Sequence, residues 1–430
     1  MPIPPQPPDF STRMSDSQAQ FIEVDALRVG MYIYLDLGWI GHPFALNNFK
    51  IISTSQIDTI RGLGLQRLRW SPERSDLNAS ESPPPTEIKL EVNAAAANHR
   101  QCLLDQRATL ARCEREFSTA THTFRHLLKQ LQQQPTVARE LAEEMIGGLV
   151  GNLFEQDESF IRLLSEKAGE HSSLHTINVT VITLLLGKRL GLDAATLKPL
   201  GLGALLHDIG KIALPERLRW RDKDLNATER NLFQQHVIYG AEMAAEMGLN
   251  ESICTIISQH HEYVDGSGFP NQLAGDALQP ASRILSLVNH YDNLCNPANP
   301  VAAITPHKAL ALMFAHQQHK FDNNYLGIFI RMMGVYPPGS LVLLTDNRYA
   351  LVVSVNSTRP LKPRVLIYDQ KLPSEEALIV DLEKETSLGI RLSLKPVQLP
   401  RAVFDYLSPG QRLCYFFERA RDLIDAQESR

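Results

Sequence analysis

At 430 residues the chain is long for one core, so two or three domains are expected. Apolar residues at 43% and charged residues at 21% describe an ordinary globular protein. A formal charge of -5 supplies no basic field, which excludes non-specific polynucleotide binding but not a small anionic nucleotide in a local pocket.

Residues 1–17, beginning with PIPPQPPDF, are too polar and proline-rich to form a core and are expected to be a disordered tail. They lack the basic and apolar regions of a signal peptide. Residues 18–72 predict a small α+β domain: a β-rich Met31–Leu35, an apolar Lys50–Ile52, a capped helix Ser55–Gly64 and a strand Leu65–Trp70. His42 stands alone there and reads as structural. Residues 73–86 have linker composition. Residues 87–135, free of proline and glycine up to Gln134, predict one or two connecting helices. Such a helix either dimerises or transmits a signal between modules, or it lies on its own domain.

From 136 to 335 the periodic segments are helical: 137–155, 158–168, 173–191, 195–210, 228–247, 250–262 and 280–294, with more helices across 303–334. Residues 336–430 turn β-rich, with strands at Leu341–Leu344, Ala350–Val355 and Val365–Tyr368 and a closing helix from Gln411. The fold class is therefore mainly α, with a small α+β N-terminal domain and a β-rich C-terminal extension. No run approaches the ~18 apolar residues of a membrane span, so no membrane insertion is expected. The five cysteines (Cys102, Cys113, Cys254, Cys295, Cys414) contain no C-x-x-C and suit a reducing compartment, which makes the expected location the cytoplasm.

Histidines carry the chemical signal. His175, His207, His236 and the pair His260-His261 fall on or beside the apolar faces of consecutive helices, and Asp208 follows His207 directly. Neutral imidazoles with one carboxylate suit first-row transition metals, and a carboxylate can bridge two ions. Adjacent histidines cannot point the same way along a helix, so His260 and His261 suit different ions. Lys211, three residues after Asp208, either neutralises a substrate phosphate or caps a helix end. The segment Asp265-Gly266-Ser267-Gly268-Phe269-Pro270 reads as a tight loop whose glycines allow close approach to a ligand.

The run His207-Asp208-Ile209-Gly210-Lys211 and HHEYVDGSGFP at 260–270, with His236 and the HTINV around His175, resemble the HD-GYP phosphodiesterases. The likeness covers roughly 150–335, and the Leu27–Tyr32 opening resembles a domain often found ahead of them. It implies an all-α HD-type, metal-dependent phosphohydrolase domain. Its two or three divalent ions, iron or manganese, would hydrolyse cyclic di-GMP to pGpG or GMP. Carried over by position, the ligands are His175, His207, Asp208, His236, His260 and His261. Asp208 and Lys211 would be catalytic. Lys211, Asp265, Gly266, Gly268, Phe269 and Pro270 would line the substrate. The partners implied are a cyclic dinucleotide, signalling proteins and, through the long helix, a homodimer.

Three departures matter. Phe269 replaces a tyrosine, keeping the ring and losing the hydroxyl. Asn289 stands where the last metal-binding aspartate falls, and Asp292, three residues on, is either a substitute ligand or a hydrogen-bond partner behind one. The segment 295–301 lacks the basic residues that grip a phosphate in the family. His171, four residues before His175, is either an extra ligand or a solvated helix-start residue. The competing expectations are a weakened domain that binds cyclic di-GMP or a partner without turnover, a phosphohydrolase for another nucleotide, and a purely structural helical protein.

Overall fold

A computed structural model describes residues 20–35, 44, 47–76, 85–155, 159–164, 171–219, 225–356, 359–385, 387–408, 410 and 412–419. The expectations for the 1–17 tail, His42 and the middle of the 73–86 linker lie outside these residues, as does the side chain of His171. The chain is mainly helical and divides into two compact units, residues 1–102 with 370–372 and the remainder.

In the first unit, strands β1 (Gln20–Glu23), β2 (Tyr32–Tyr34), β3 (Asn48–Lys50) and β4 (Arg67–Ser71) form an antiparallel sheet in the order β1-β4-β2-β3. Helix α1 (Thr54–Arg61) starts at Ser53, whose hydroxyl accepts from the Gln56 N–H. Ile57 and Ile60 on α1 join Ile33, Ile51 and Leu68 in a small core. Helix α2 (Pro85–Gln130) is one continuous element.

The second unit is built on α3 (Pro135–Phe154), α4 (His171–Arg189) and α5 (Ala194–Leu206). Leu174 to Leu186 on α4 and Leu200 to Leu206 on α5 are buried on nearly every face, as central helices require. Burying one such leucine is worth about 1.5–3 kcal/mol, which more than offsets the modest helix propensity of the β-branched run in α4. Around them lie α6 (Glu216–Arg219), α7 (Ala227–Gln234), α8 (His236–Glu246), α9 (Glu251–Ser258), α10 (Pro280–Cys295), α11 (Pro306–His316) and α12 (Asn323–Met333). No helix among the described residues is long and apolar enough to cross a membrane.

Two helical expectations fail here, for one reason. Residues 158–168 contain a strand, β5 (Ser159–Leu164), and the expected helix from Gln411 is a strand, β11 (Cys414–Arg419). They pair antiparallel along their whole length, from Ser159 opposite Arg419 to Leu164 opposite Cys414. A six-residue apolar run has no decisive period, and its partner lies about 250 residues away, beyond any local window. Strands β6 (Leu341–Leu344), β7 (Tyr349–Asn356), β8 (Arg364–Ile367), β9 (Ile379–Asp381) and β10 (Ile390–Leu394) complete the seven-stranded sheet, and α13 (Arg401–Leu407) covers part of it. Cys414 to Phe417 belong to the same apolar core as α4, α5 and α10, so the C-terminal strand is built into the helical unit.

Candidate metal centre

Helix α5 ends at Leu206, and the chain passes through a turn into a 3-10 segment, Ile209–Ala213. His207 and Asp208 occupy that turn rather than the helix predicted through 210. Gly210 makes the arrangement possible. A Cβ there would overlap the His236 carbonyl and the Gly240 N–H of α8, so only glycine lets the two segments touch. Gly210→Ala should force them apart, cost at least about 1–3 kcal/mol and lower metal affinity, read as a drop in melting temperature with lost metal content. Wild-type values for both would disprove this packing argument.

Imidazole orientation is set from behind. The Nδ1 of His207 meets the Ala204 carbonyl at 2.8 Å, that of His236 the Phe233 carbonyl at 2.6 Å, and that of His260 the Ile257 carbonyl at 2.6 Å. A carbonyl only accepts, so each Nδ1 carries the proton and each Nε2 presents a lone pair inward. His175 reaches the same state through a carboxylate, its Nδ1 donating to Asp292 Oδ2 at 2.7 Å. His207 and His236 are fully buried, and His260 nearly so.

Asp208 lies among these lone pairs with its two oxygens turned different ways. Oδ2 is 3.4 Å from His207 Nε2 and 3.7 Å from His175 Nε2, while Oδ1 is 3.6 Å from His236 Nε2 and 3.8 Å from His260 Nε2. Lys211 Nζ donates to Oδ2 at 2.7 Å and lies over the Phe233 ring. Oδ1 is buried and has no hydrogen-bond partner among the described residues. Donor atoms of Asp208, His236, His260 and His261 all lie within 4.8 Å of one another, as do those of His175, His207 and Asp208. His260 and His261 therefore fall in one candidate group, where the sequence suggests two different ions. Helix α9 has ended at Ser258, and in the following turn both rings face inward, 4.2 Å apart.

The donor set fits a metal. His207 and His175 bring their Nε2 atoms to 3.2 Å, and His236 and His260 bring theirs to 3.4 Å. Facing lone pairs repel unless a cation is shared, and two nitrogens about 2.1 Å from one ion stand about 3.0–3.4 Å apart for angles between right and tetrahedral. The unpartnered Oδ1 of Asp208 points the same way.

Electrostatics keep the ligands in their binding forms. Burial pushes His236 down to about 4, and burial together with the neighbouring imidazoles pushes His260 and His261 well below the usual histidine range. Burial alone would raise the Asp208 carboxyl, but Lys211 first, then His207 and His236, reverse that and hold it well below the usual carboxylate range. In chelated protein the unfolded chain then binds protons that folded His236 refuses between pH 6.5 and about 4. Stability should fall as pH drops through that window, by on the order of 3 kcal/mol for this residue. Urea midpoints at pH 7.5 and 5 measure it, and a midpoint that holds steady or rises on acidification would contradict burial in the neutral form.

The loop expected to touch substrate has internal duties. Asp265 Oδ1 accepts from the Ser267 N–H at 2.9 Å and hydroxyl at 2.6 Å, and Gly266 has φ +74°. A Cβ on Gly268 would strike the 261–263 backbone, so that glycine serves packing against the chain itself rather than against a ligand. Phe269 stacks on His261 at 4.5 Å, and half-buried Pro270 follows through a cis peptide. Glu262, which carried no role in the sequence reading, is buried and accepts from the Asn271 and Leu273 N–H groups at 2.6 and 3.1 Å, closing the loop.

Asn289 is buried, with its side-chain oxygen accepting from Asn293 at 2.9 Å. Of the two roles open to Asp292, the geometry gives the one behind the ligand. One oxygen is taken by His175, and the other accepts from Asn178 at 3.0 Å and Asn296 at 2.9 Å. Those two asparagines were missed, although Asn178 is three residues after His175 and Asn296 four after Asp292, the spacings that share a helix face.

Residues 158–325 match a family described as HD domain, and residues 20–142 match Domain of unknown function (DUF3391). The chain is 24% identical over 393 residues to the cyclic di-GMP phosphodiesterase PA4108 of Pseudomonas aeruginosa, covering 88% of this chain and 92% of that protein. It is 27% identical over 212 residues to the cyclic di-GMP phosphodiesterase response regulator RpfG of Xanthomonas campestris, covering 47% of this chain and 56% of that one. It is 30% identical over 163 residues to 3'3'-cGAMP-specific phosphodiesterase 3 of Vibrio cholerae, covering 38% and 35%. Among solved structures, Bd1817, an HDG"Y"P protein of Bdellovibrio bacteriovorus, aligns at a TM-score of 0.41 with 15% identity, over 72% of this chain and 97% of that one. The HD match, these relatives and the histidine–aspartate constellation agree: the chain carries an HD domain with a DUF3391 domain ahead of it, and it is similar to cyclic-dinucleotide phosphodiesterases.

Proposed function

We propose that this chain is a metal-dependent phosphodiesterase that opens a cyclic dinucleotide, cyclic di-GMP first among them, to pGpG or GMP in second-messenger signalling. The observation that carries the reading is the single carboxylate of Asp208, with one oxygen facing each histidine set and Lys211 beside it. The phosphodiesterases named above support the substrate class. In this reading Asp208, His236, His260 and His261 would hold one ion, and His175, His207 and Asp208 a second. Iron or manganese suits imidazoles with a carboxylate. A cytoplasmic location and signalling partners belong to the same reading.

Bound divalent ions would supply electrophilic stabilisation of the phosphate and a nucleophile at neutral pH. The chain's own residues do the rest. Lys211 holds Asp208 while that carboxylate is bare; once the carboxylate charge is taken up, its quarter-exposed ammonium can donate to a phosphate oxygen. Phe269 keeps His261 in place, and half-buried Pro270 borders the substrate. At His175, His207, His236 and His260 the acceptor behind Nδ1 leaves the Nε2 lone pair facing inward, so these imidazoles need not reorganise during turnover.

The test is turnover of cyclic di-GMP and 3'3'-cGAMP, side by side, by purified protein loaded with Mn2+ or Fe2+ under reducing conditions. A linear product is expected. No product from a fully loaded protein would sink the enzyme reading and leave the binding module, which Asn289, with its side-chain oxygen engaged by Asn293, favours.

A further inference from the structure

His175 differs from the other candidate ligands in what holds it. His207, His236 and His260 lean on carbonyls three residues earlier in their own segments, so their orientation is local. His175 leans on Asp292 of α10, and Asp292 is held by asparagines that are themselves held by the C-terminal strand. Asn178 donates one amide hydrogen to Asp292 Oδ1 and the other to the Leu413 carbonyl at 2.7 Å, while its oxygen accepts from the Tyr415 N–H at 2.8 Å. Asn296 does the same: one hydrogen to Asp292 Oδ1, one to the Leu413 carbonyl at 3.0 Å, and its oxygen accepting from the Leu413 N–H at 2.7 Å.

Both amides are fully used, and neither can be flipped. A flip would set an amide oxygen against the Asp292 carboxylate and an NH2 against a strand N–H. Asp292 and Asn178 are fully buried and Asn296 is 5% exposed, so water cannot replace a lost partner. Without its two donors, Asp292 Oδ1 would be a buried, unpaired carboxylate oxygen, and the carboxylate would rotate to find another partner. His175 would lose the acceptor that fixes its proton and its ring angle.

We propose that Asn178 and Asn296 are positioning residues that fasten the entrance of β11 to Asp292 and through it to His175, making the C-terminal strand a structural part of one half of the metal centre. The proposal rests on the two-ion reading above. It is specific to one half, because the His236, His260 and His261 group has no bond in this relay.

The test is Mn2+ titration of the chelated full chain, comparing wild type with Asn178→Ala and Asn296→Ala. Each variant should weaken one of two binding steps by about 10–100-fold and leave the other within about twofold. Both steps unchanged in a folded variant would overturn the proposal, as would both weakened equally, which is the signature of general loosening. Should the variants not fold, amide exchange in the unaltered chain decides. Coupling is reciprocal, so saturating Mn2+ should slow exchange at Leu413 and Tyr415 by about tenfold or more, and no change there refutes the relay. A wild-type chain with no Mn2+ step would bring down the two-ion reading and this inference with it, whereas variants unchanged beside a two-step wild type remove the inference alone.

Discussion

Asp208→Ala should empty both metal positions at once and lower turnover by on the order of 10^4-fold or more. Among the described residues no other has an atom in both candidate groups, so any single histidine change should spare part of the site. Metal-free stability should fall as well. The Asp208 carboxyl is held well below the usual carboxylate range, so Lys211 and the imidazoles facing it outweigh the cost of burying it. Lys211 is partly exposed and can turn to water, which limits the loss. The metal-free variant should therefore melt below wild type, by about 1–3 kcal/mol. Metal analysis, turnover and a thermal melt on chelated protein check the three parts. Retention of either ion with measurable turnover would remove Asp208 from the centre of the site.

Asp292→Asn should be nearly as damaging while leaving the shape untouched. To keep accepting from Asn178 and Asn296, the new amide must aim its oxygen at them and its NH2 at His175 Nδ1. Donor would then face donor unless His175 moves its proton to Nε2, which covers the lone pair aimed at Asp208. A wrong histidine tautomer imposed by the same kind of exchange in a catalytic triad costs about 10^4-fold, and on the order of 10^3–10^4 is expected here. One metal step should vanish, with the other kept and the melting temperature close to wild type. Wild-type metal binding and kcat would show that His175 does not act through its Nε2 lone pair.

Much of the site was legible because its signals are local. His207, Asp208 and Lys211 are contiguous, His260 and His261 adjoin a glycine-rich turn, and each helix shows its period. What escaped was non-local. Whether Asp292 is a ligand or stands behind one depends on α4 and on the strand entrance at 413, and no spacing within α10 records either. Strand β5 looked helical because its partner arrives at the far end of the sequence. The 265–270 loop was expected to approach a ligand, whereas Gly268 closes on the chain's own 261–263 backbone and Gly266 serves a positive φ.

The pairing of β5 with β11 also bears on synthesis. Ribosomes deliver residues in order, and every candidate ligand has emerged once α10 is complete. Yet β5, which opens the HD segment, is hydrogen-bonded to Asn356, Val355 and Ser354 on one side and to residues 414–419 on the other. Until residue 419 has left the exit tunnel, β5 is an apolar strand with an open edge, and His175 lacks the support that reaches it through Asp292. A chain that stops short of residue 419 would thus carry every candidate ligand without the support that reaches His175, and its open β5 edge makes it prone to edge-to-edge association.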